Sequence, residues 1–270
     1  MKIAITGASG FVGKYVLKQL SMTSHEIIVL SRNPNDFILD FKNMRLVECD
    51  VNESNEDLFN IMGKPDHLIH LAWEGLPNYN SLFHIESVLP NQYKFLSSLV
   101  KQGLNSMFVS GTCFEYGQIS GCLSPSLITQ PVNAYGFAKD VLRKELFFLK
   151  QKFNFNLIWA RIFYIYGDGQ SSASIYTSLK DAISRGDKVF NMSGGEQLRD
   201  YLHVEKVAYQ IIHKYLNKSS SKLVNICSGK PVSIRNLVEK WLFDNNWNIK
   251  LNLGYFPYPE YEPLAFWGEI

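Results

Sequence analysis

The sequence predicts an α/β protein: a Rossmann-like, doubly wound parallel sheet with a smaller C-terminal lobe. Short segments that are apolar throughout alternate with helical segments over about the first 165 residues. Strands of that kind fit a parallel sheet with helices on both faces, because neither face of such a sheet meets water. The first apolar segment runs directly into a glycine-rich turn and then a helical pattern, as doubly wound sheets begin.

Six strands are expected in the first region. They are Ile3–Thr6, Glu26–Ser31, Arg45–Cys49, His67–Ala72, Ser106–Ser110 and Phe155–Ala160. The helical segments between them are expected around Ser54–Met62 and His84–Gln102, and from Tyr135 to about Lys150.

Beyond residue 165 the pattern is more mixed and richer in aromatic residues. Short strands are expected near Val189 and at Leu223–Ile226, with helices near Ser174–Ser184, Val204–Leu216 and Ile234–Phe243. No Gly/Ser-rich linker separates the two regions. We therefore expect residues 1–165 and 166–270 to be interleaved lobes of one unit.

Composition narrows the classes of partner. The chain has 270 residues, of which 46% are hydrophobic and 19% charged, an ordinary globular balance. A formal net charge of +2 with no basic run predicts no nucleic-acid partner. There is no apolar run of membrane-spanning length, and the N-terminal apolar stretch is too short for a signal peptide. We expect a cytoplasmic protein with no membrane partner.

The cysteines and histidines predict no metal site. Cys49, Cys113, Cys122 and Cys227 show no paired spacing typical of zinc or redox centres, and the six histidines form no ligand motif. In a cytoplasmic protein such cysteines are expected to be reduced.

The glycine-rich turn carries the first functional prediction. Gly7, Gly10 and Gly13 lie between the first strand and the first helix, where glycines let backbone N–H groups approach a pyrophosphate. A plain tight turn is the alternative. The predicted dinucleotide contacts of this turn are Gly7, Ser9, Gly10, Phe11, Val12 and Gly13.

The end of the second strand favours NADP over NAD. A carboxylate there would bind the ribose 2′-hydroxyl of NAD, but this chain has Ser31 and Arg32, which suit a 2′-phosphate. The alternative is that Arg32 is a solvated loop residue. Asp36 is a nearby carboxylate that could favour NAD, but it lies beyond Pro34 and is expected to point elsewhere. The remaining predicted cofactor contacts are Asp50, Val51, Leu71, Ala72, Tyr135 and Lys139, of which the lysine is expected to hold the nicotinamide ribose. Asp50 is expected either to accept a hydrogen bond from adenine or to lie at the surface.

Three residues form a candidate catalytic set. Tyr135 and Lys139 are four residues apart, so they share one face of a helix. An adjacent ammonium favours phenolate and is expected to lower the pKa of Tyr135, which then donates a proton to a carbonyl oxygen. Thr112 follows the fifth strand and is expected to hydrogen-bond the substrate oxygen, with Ser110 as the fallback.

The combined motifs resemble the extended short-chain dehydrogenase/reductase family of nucleotide-sugar epimerases, dehydratases and reductases. The matching segments are Thr6–Gly13, His70–Ala72, Thr112–Gly117, Asn133–Lys139 and Arg199–Val204. The resemblance implies Thr112, Tyr135 and Lys139 as the active triad, and Arg199 as a contact to the nucleotide or diphosphate of the substrate. It also implies structural roles for Asp200 and His203, and a homodimer formed through helices around 84–102 and 134–151.

The resemblance also narrows the reaction. Family members that eliminate water carry an Asp-Glu pair after the catalytic threonine, whereas this chain has Cys113 and Phe114. The leading prediction is therefore NADPH-dependent reduction of a nucleotide-linked 4-keto-6-deoxysugar for a surface polysaccharide. An NAD-retaining 4-epimerase and a non-catalytic cofactor sensor are the alternatives. The predicted substrate contacts are Thr112, Cys113, Phe114, Tyr135, Tyr164 and Arg199.

The C-terminal segment leaves two interpretations open. Epimerases of the family usually continue further and supply another phosphate-binding arginine, which this sequence does not show. The aromatic residues between Tyr255 and Trp267 are expected either to stack on the substrate or to pack internally.

Overall fold

A seven-stranded parallel sheet runs through the centre of the molecule. The computed structural model describes residues 1–33, 43–53, 56–216, 220–258 and 262–270. The strands of this sheet are β1 (Lys2–Thr6), β2 (Glu26–Ser31), β3 (Met44–Glu48), β4 (His67–His70), β5 (Ser106–Thr112), β7 (Asn156–Ile162) and β12 (Lys222–Ile226). Their spatial order is β12-β7-β5-β4-β1-β2-β3. The order reverses between β1 and β4, so a crevice opens at the carboxyl ends of these two strands.

Helices cover both faces of the sheet because neighbouring side chains on each strand point in opposite directions. The helices are α1 (Phe11–Ser21), α2 (Leu58–Ile61), α3 (Leu89–Lys101), α4 (Ala134–Lys150), α5 (Ile175–Arg185), α6 (Val204–Tyr209) and α7 (Ile234–Asp244). Leu68 of β4 packs in the core beneath α3 and α4. The next residue, Ile69, packs in the opposite core beneath α1 and α6.

The rest of the chain forms a smaller layer beside the carboxyl edge of the sheet. Its short strands are β6 (Gly121–Leu123), β8 (Tyr164–Tyr166), β9 (Val189–Asn191), β10 (Leu198–Arg199), β11 (Tyr201–His203), β13 (Val232–Ser233), β14 (Lys250–Asn252) and β15 (Phe266–Gly268). They pair as β10 with β13, β11 with β8, β14 with β9 and β15 with β6. A separate core that includes Leu179, Phe190 and Trp241 holds this layer together.

The predicted fold class is confirmed, and all six strands predicted for the first region are present within a residue or two at most ends. The seventh strand, β12, comes from beyond residue 165, which agrees with interleaved lobes; the division at that residue stays a prediction. The helix predicted from His84 begins with a π-helical turn over His84–Val88. Of the segment Ser54–Met62, only Leu58–Ile61 is helical in the described part.

The described residues were also examined for membrane-spanning helices and for groups of metal ligands. No helix within them is both long and apolar enough to cross a bilayer. The same residues bring together no group of three or more His, Cys, Asp or Glu side chains that could hold a metal ion. Asp36 lies outside the described residues.

Candidate active site

A cavity of about 620 Å³ lies at the switch point of the sheet. Its cofactor end is defined by the glycine turn and the first residues of α1. The other end, which we call the tail end because the C-terminal segment reaches it, is lined by Tyr164, Arg199, Tyr201 and Glu262. The residues predicted to be catalytic line the middle of the same cavity.

The glycine turn leaves no space for side chains. Gly7 has a φ of 71°, and a Cβ there would lie 2.7 Å from the backbone nitrogen of Ala72. A Cβ on Gly13 would lie 2.0 Å from the carbonyl oxygen of Gly7. Gly10 begins α1 without a side-chain cap, so the first N–H groups of the helix remain available. These features fit a pyrophosphate, and Gly7, Gly10, Phe11, Val12, Gly13 and Leu71 line the cavity.

The adenosine-side residues have local partners. The guanidinium of Arg32 forms an ion pair with Glu74, a residue that the sequence reasoning missed. The Ser31 hydroxyl donates to the carbonyl of Asn33 at 3.1 Å. Asp50 accepts a hydrogen bond from the backbone N–H of Asn52 at 2.9 Å. The predicted contacts that do not line the cavity are Ser9, Ser31, Arg32, Asp50, Val51 and Ala72.

Thr112 and Tyr135 meet in the cavity because each stands at the start of a capped helix. Thr112 ends β5 and caps the 3-10 helix Cys113–Tyr116, with its hydroxyl accepting from the N–H of Phe114 at 3.3 Å. Asn133 caps α4 by accepting from the N–H of Gly136 at 2.8 Å. Both residues line the cavity, and burial raises the pKa of the Tyr135 phenol.

Lys139 is buried one helical turn after Tyr135. Its Nζ donates to the carbonyl of Ser110 at 2.7 Å and lies 4.0 Å from the ring centroid of Trp73. Burial lowers the pKa of Lys139 to about 7. The expectation that this lysine would lower the pKa of Tyr135 is wrong for this structure, because burial dominates and the neighbouring Tyr79 and Glu115 raise that pKa further.

Trp73 and His84 form a support that the sequence reasoning missed. The indole Nε1 of Trp73 donates to Nδ1 of His84 at 3.2 Å. Nε2 of His84 donates to the carbonyl of Asn78 at 2.9 Å, which leaves Nδ1 as the acceptor for Trp73. Both rings pack near Tyr135, with centroids 5.9 and 5.4 Å from its ring. The signal in the sequence that could have identified Trp73 is its position directly after the predicted cofactor contacts Leu71 and Ala72.

Glu115, which the sequence reasoning also missed, lies behind Thr112. Its carboxylate is fully buried and accepts from the backbone N–H of Thr112 at 2.9 Å. It also accepts from Nε1 of Trp159 at 3.0 Å and from Nε of Arg161 at 2.7 Å. These bonds satisfy a charge that would otherwise be costly to bury, and they fix the backbone that carries Thr112.

The predicted substrate contacts Cys113, Phe114, Tyr164 and Arg199 all line the cavity. Burial, with the nearby Glu262 carboxylate, raises the pKa of the Cys113 thiol, which agrees with a packed cysteine. The Tyr164 hydroxyl donates to Oε1 of Glu262 at 2.5 Å. Nη2 of Arg199 donates to Oε2 of the same carboxylate at 2.8 Å.

The residues after Arg199 have the expected structural contacts. Asp200 accepts from the backbone N–H groups of Ser228 at 2.7 Å and Gly229 at 2.8 Å. Nδ1 of His203 accepts from the N–H of Glu205 at 3.3 Å and caps α6. These bonds hold the strand that presents Arg199 to the cavity.

The sheet order, the glycine cradle and the buried Thr–Tyr–Lys set define a dinucleotide-binding α/β enzyme of the Rossmann class. Comparison with known sequences then places the chain more closely. The profile of the NAD dependent epimerase/dehydratase family matches residues 3–227, and the chain belongs to this family.

Two curated relatives act on deoxysugars according to their names. A dTDP-6-deoxy-L-talose 4-dehydrogenase (NAD(+)) from Aggregatibacter actinomycetemcomitans is 33% identical over 273 residues, covering 99% of both chains. A GDP-6-deoxy-D-talose 4-dehydrogenase from the same organism is 28% identical, covering 87% of this chain and 76% of its own. The protein is thus an enzyme of the nucleotide-sugar oxidoreductase and epimerase type.

Solved structures agree on the fold. MoeE5 in complex with UDP-glucuronic acid and NAD has a TM-score of 0.83 at 21% identity, covering 100% of this chain and 90% of its own. The UDP-glucuronic acid 4-epimerase of Bacillus cereus has a TM-score of 0.82 at 19% identity, with the same coverage.

Proposed function

We propose that the protein is a nucleotide-sugar 4-ketoreductase, which reduces the 4-keto group of a nucleotide-linked 4-keto-6-deoxysugar to a hydroxyl. The observation that carries the proposal is one cavity that joins the glycine cradle to Thr112, Tyr135 and Lys139. The names of both curated relatives, which describe oxidation at C4 of a 6-deoxysugar, support the position of the reaction. A ketoreductase is the reverse direction of such a dehydrogenase.

Each catalytic residue has a role that its contacts support. A bound nicotinamide dinucleotide would supply the hydride. Tyr135, neutral because burial raises its pKa, donates the proton that the carbonyl oxygen acquires. Thr112 lines the same cavity as Tyr135 and orients that oxygen. Lys139 places a positive charge beside the dinucleotide and is itself held by Ser110 and Trp73.

For the cofactor we propose NADP(H), on the position of Arg32 and Ser31 at the end of β2. The Arg32 side chain is 62% exposed and carries the charge that a 2′-phosphate would meet. NAD(H) is the second candidate, favoured by two observations. Glu74 already neutralises Arg32, and NAD(+) stands in the name of the 33% identical relative.

A 4-epimerase that retains its cofactor is a second candidate function. It is favoured by a curated relative named an uncharacterized UDP-glucose epimerase, from Bacillus subtilis, which is 24% identical over the whole of this chain. A non-catalytic cofactor sensor is disfavoured by the intact catalytic set. A cytoplasmic homodimer formed through residues 84–102 and 134–151, serving surface-polysaccharide synthesis, completes the proposal.

The test combines cofactor binding with turnover. NADPH and NADH affinities are measured by fluorescence titration for the wild type and Arg32→Ala, and cofactor oxidation is followed with dTDP-, CDP-, GDP- and UDP-linked 4-keto sugars. We expect NADPH preference that Arg32→Ala abolishes, and oxidation with at least one keto sugar. No oxidation across the panel, together with copurifying NAD and turnover of a saturated sugar nucleotide, would establish the epimerase instead.

A further inference from the structure

The tail end of the cavity is close to electrically neutral. Among the described residues that line the cavity, the charged side chains are Lys139, Arg199 and Glu262. Lys139 lies at the middle of the cavity beside Tyr135, so Arg199 is the basic side chain at the tail end. Glu262 forms an ion pair with it and cancels its charge.

Arg199 is anchored without help from Glu262. Its Nη1 donates to the carbonyls of Leu198 at 3.0 Å and Leu264 at 3.1 Å. Its guanidinium carbon lies 4.6 Å from the ring centroid of Phe266. These contacts fix the guanidinium plane, so Nη2 points in a set direction whether or not the carboxylate is present.

The Glu262 side chain is held by fewer contacts than that of Arg199 in the described part of the chain. Among the described residues its carboxylate has two side-chain donors, the Tyr164 hydroxyl and Nη2 of Arg199. The side chain is 12% exposed on the cavity wall, whereas that of Arg199 is 2% exposed. A carboxylate and a phosphate present the same oxygen acceptors to a guanidinium.

We propose that the Glu262 carboxylate and a phosphate of the substrate compete for Nη2 of Arg199, so that Glu262 tunes the affinity for the diphosphate. This inference rests on the proposed function, because it takes a nucleotide-linked sugar as the substrate. Each phosphate of such a substrate carries a negative charge. In a buried cavity the Glu262 charge opposes that of the phosphate unless the carboxylate moves aside.

The experiment replaces the carboxylate by its neutral isostere. Dissociation constants of dTDP, CDP, GDP and UDP are measured by calorimetry for the cofactor-saturated wild type, Glu262→Gln and the control Glu239→Gln. Glu239 also pairs with an arginine, Arg235, but on the surface of α7 and away from the cavity. We expect Glu262→Gln to bind the preferred nucleoside diphosphate roughly three- to tenfold more tightly, and Glu239→Gln to bind as the wild type does.

Turnover gives a second readout. With the keto-sugar substrate, Glu262→Gln should lower KM in the same proportion while kcat changes less than twofold. Unchanged or weaker binding of the nucleoside diphosphate by Glu262→Gln overturns the proposal. In that case the carboxylate either has only a structural role or accepts hydrogen bonds from the sugar.

A milder variant covers the case in which Glu262→Gln does not fold. Tyr164→Phe removes the donor to Oε1 of Glu262 and leaves the ion pair with Arg199. We expect it to tighten nucleoside diphosphate binding by about twofold; weaker or unchanged binding would contradict the competition.

Tighter binding by Glu262→Gln in a protein that reduces no keto sugar would uphold the competition and reject the reaction. Absence of binding by every variant rejects both.

Discussion

The two ends of the cavity are built in different ways. The cofactor end is made by backbone: Gly7 and Gly13 leave no space for a Cβ, and the first turn of α1 supplies N–H groups. The tail end is made by long side chains that satisfy one another, namely Tyr164, Arg199 and Glu262. Backbone geometry suits the pyrophosphate common to dinucleotides, whereas paired side chains let the affinity for one substrate be adjusted by single substitutions.

The strongest test of this division is the residue between the two ends. Tyr135→Phe removes the proton donor and should lower kcat by roughly 10²–10⁴-fold. Cofactor and nucleoside diphosphate affinities should change little, because neither end loses a contact. Tyr209→Phe, at an exposed position on α6, is the matched control. Loss of binding at either end in Tyr135→Phe would show that the ends are not independent.

The charge on Lys139 gives the next largest effect. Burial lowers its pKa to about 7, so its ammonium form is lost as pH rises through that value. We expect kcat/KM for carbonyl reduction to fall by about tenfold per pH unit above the inflection. Rates from pH 6 to 9 test this expectation. Lys139→Met should be slow with a flat profile, and an inflection that survives in it would belong to another group.

Trp73 tests how far the residues in the middle of the cavity depend on a supporting side chain. Trp73→Phe loses the hydrogen bond to His84 and weakens the contact between the ring face and Lys139. We expect a fall in kcat of about three- to tenfold, with a lower inflection in the pH profile. A change in KM alone, with the profile unmoved, would make Trp73 a packing residue only.

The smallest effect is expected at Glu74. Glu74→Gln frees Arg32 from its ion pair and should tighten NADPH binding by about two- to fivefold, since a partly exposed pair contributes little. NADH affinity should stay the same. Equal changes for both cofactors in fluorescence titrations would mean that Arg32 does not meet the 2′-phosphate.

Residues at the junctions of strands and helices could be predicted from the sequence, whereas the charged partners that hold other site residues could not, for a physical reason. Gly7, Thr112 and Tyr135 lie at junctions of strand and helix, where local spacing and the parallel sheet together set the position of the residue. Glu74 and Glu262 instead act through partners 42 and 63 residues away in the chain. Such pairs leave no local pattern, so only the folded structure brings them together.

Glu115 shows the same limit within a predicted motif. Its place between Phe114 and Tyr116 gave no sign of a buried charge. Its partners Trp159 and Arg161 lie on β7, more than 40 residues away. The motif predicted where Thr112 lies, but the carboxylate that holds it came only from the tertiary structure.

The last strand of the central sheet has a consequence for how the protein is made. β12 pairs with β7 and comes from Lys222–Ile226. A ribosome has therefore synthesised about four-fifths of the chain before the seventh strand can be added to the sheet. Until then β7 presents an open edge to other nascent chains. Truncation at the predicted lobe boundary would leave that edge exposed permanently, and we expect residues 1–165 expressed alone to aggregate.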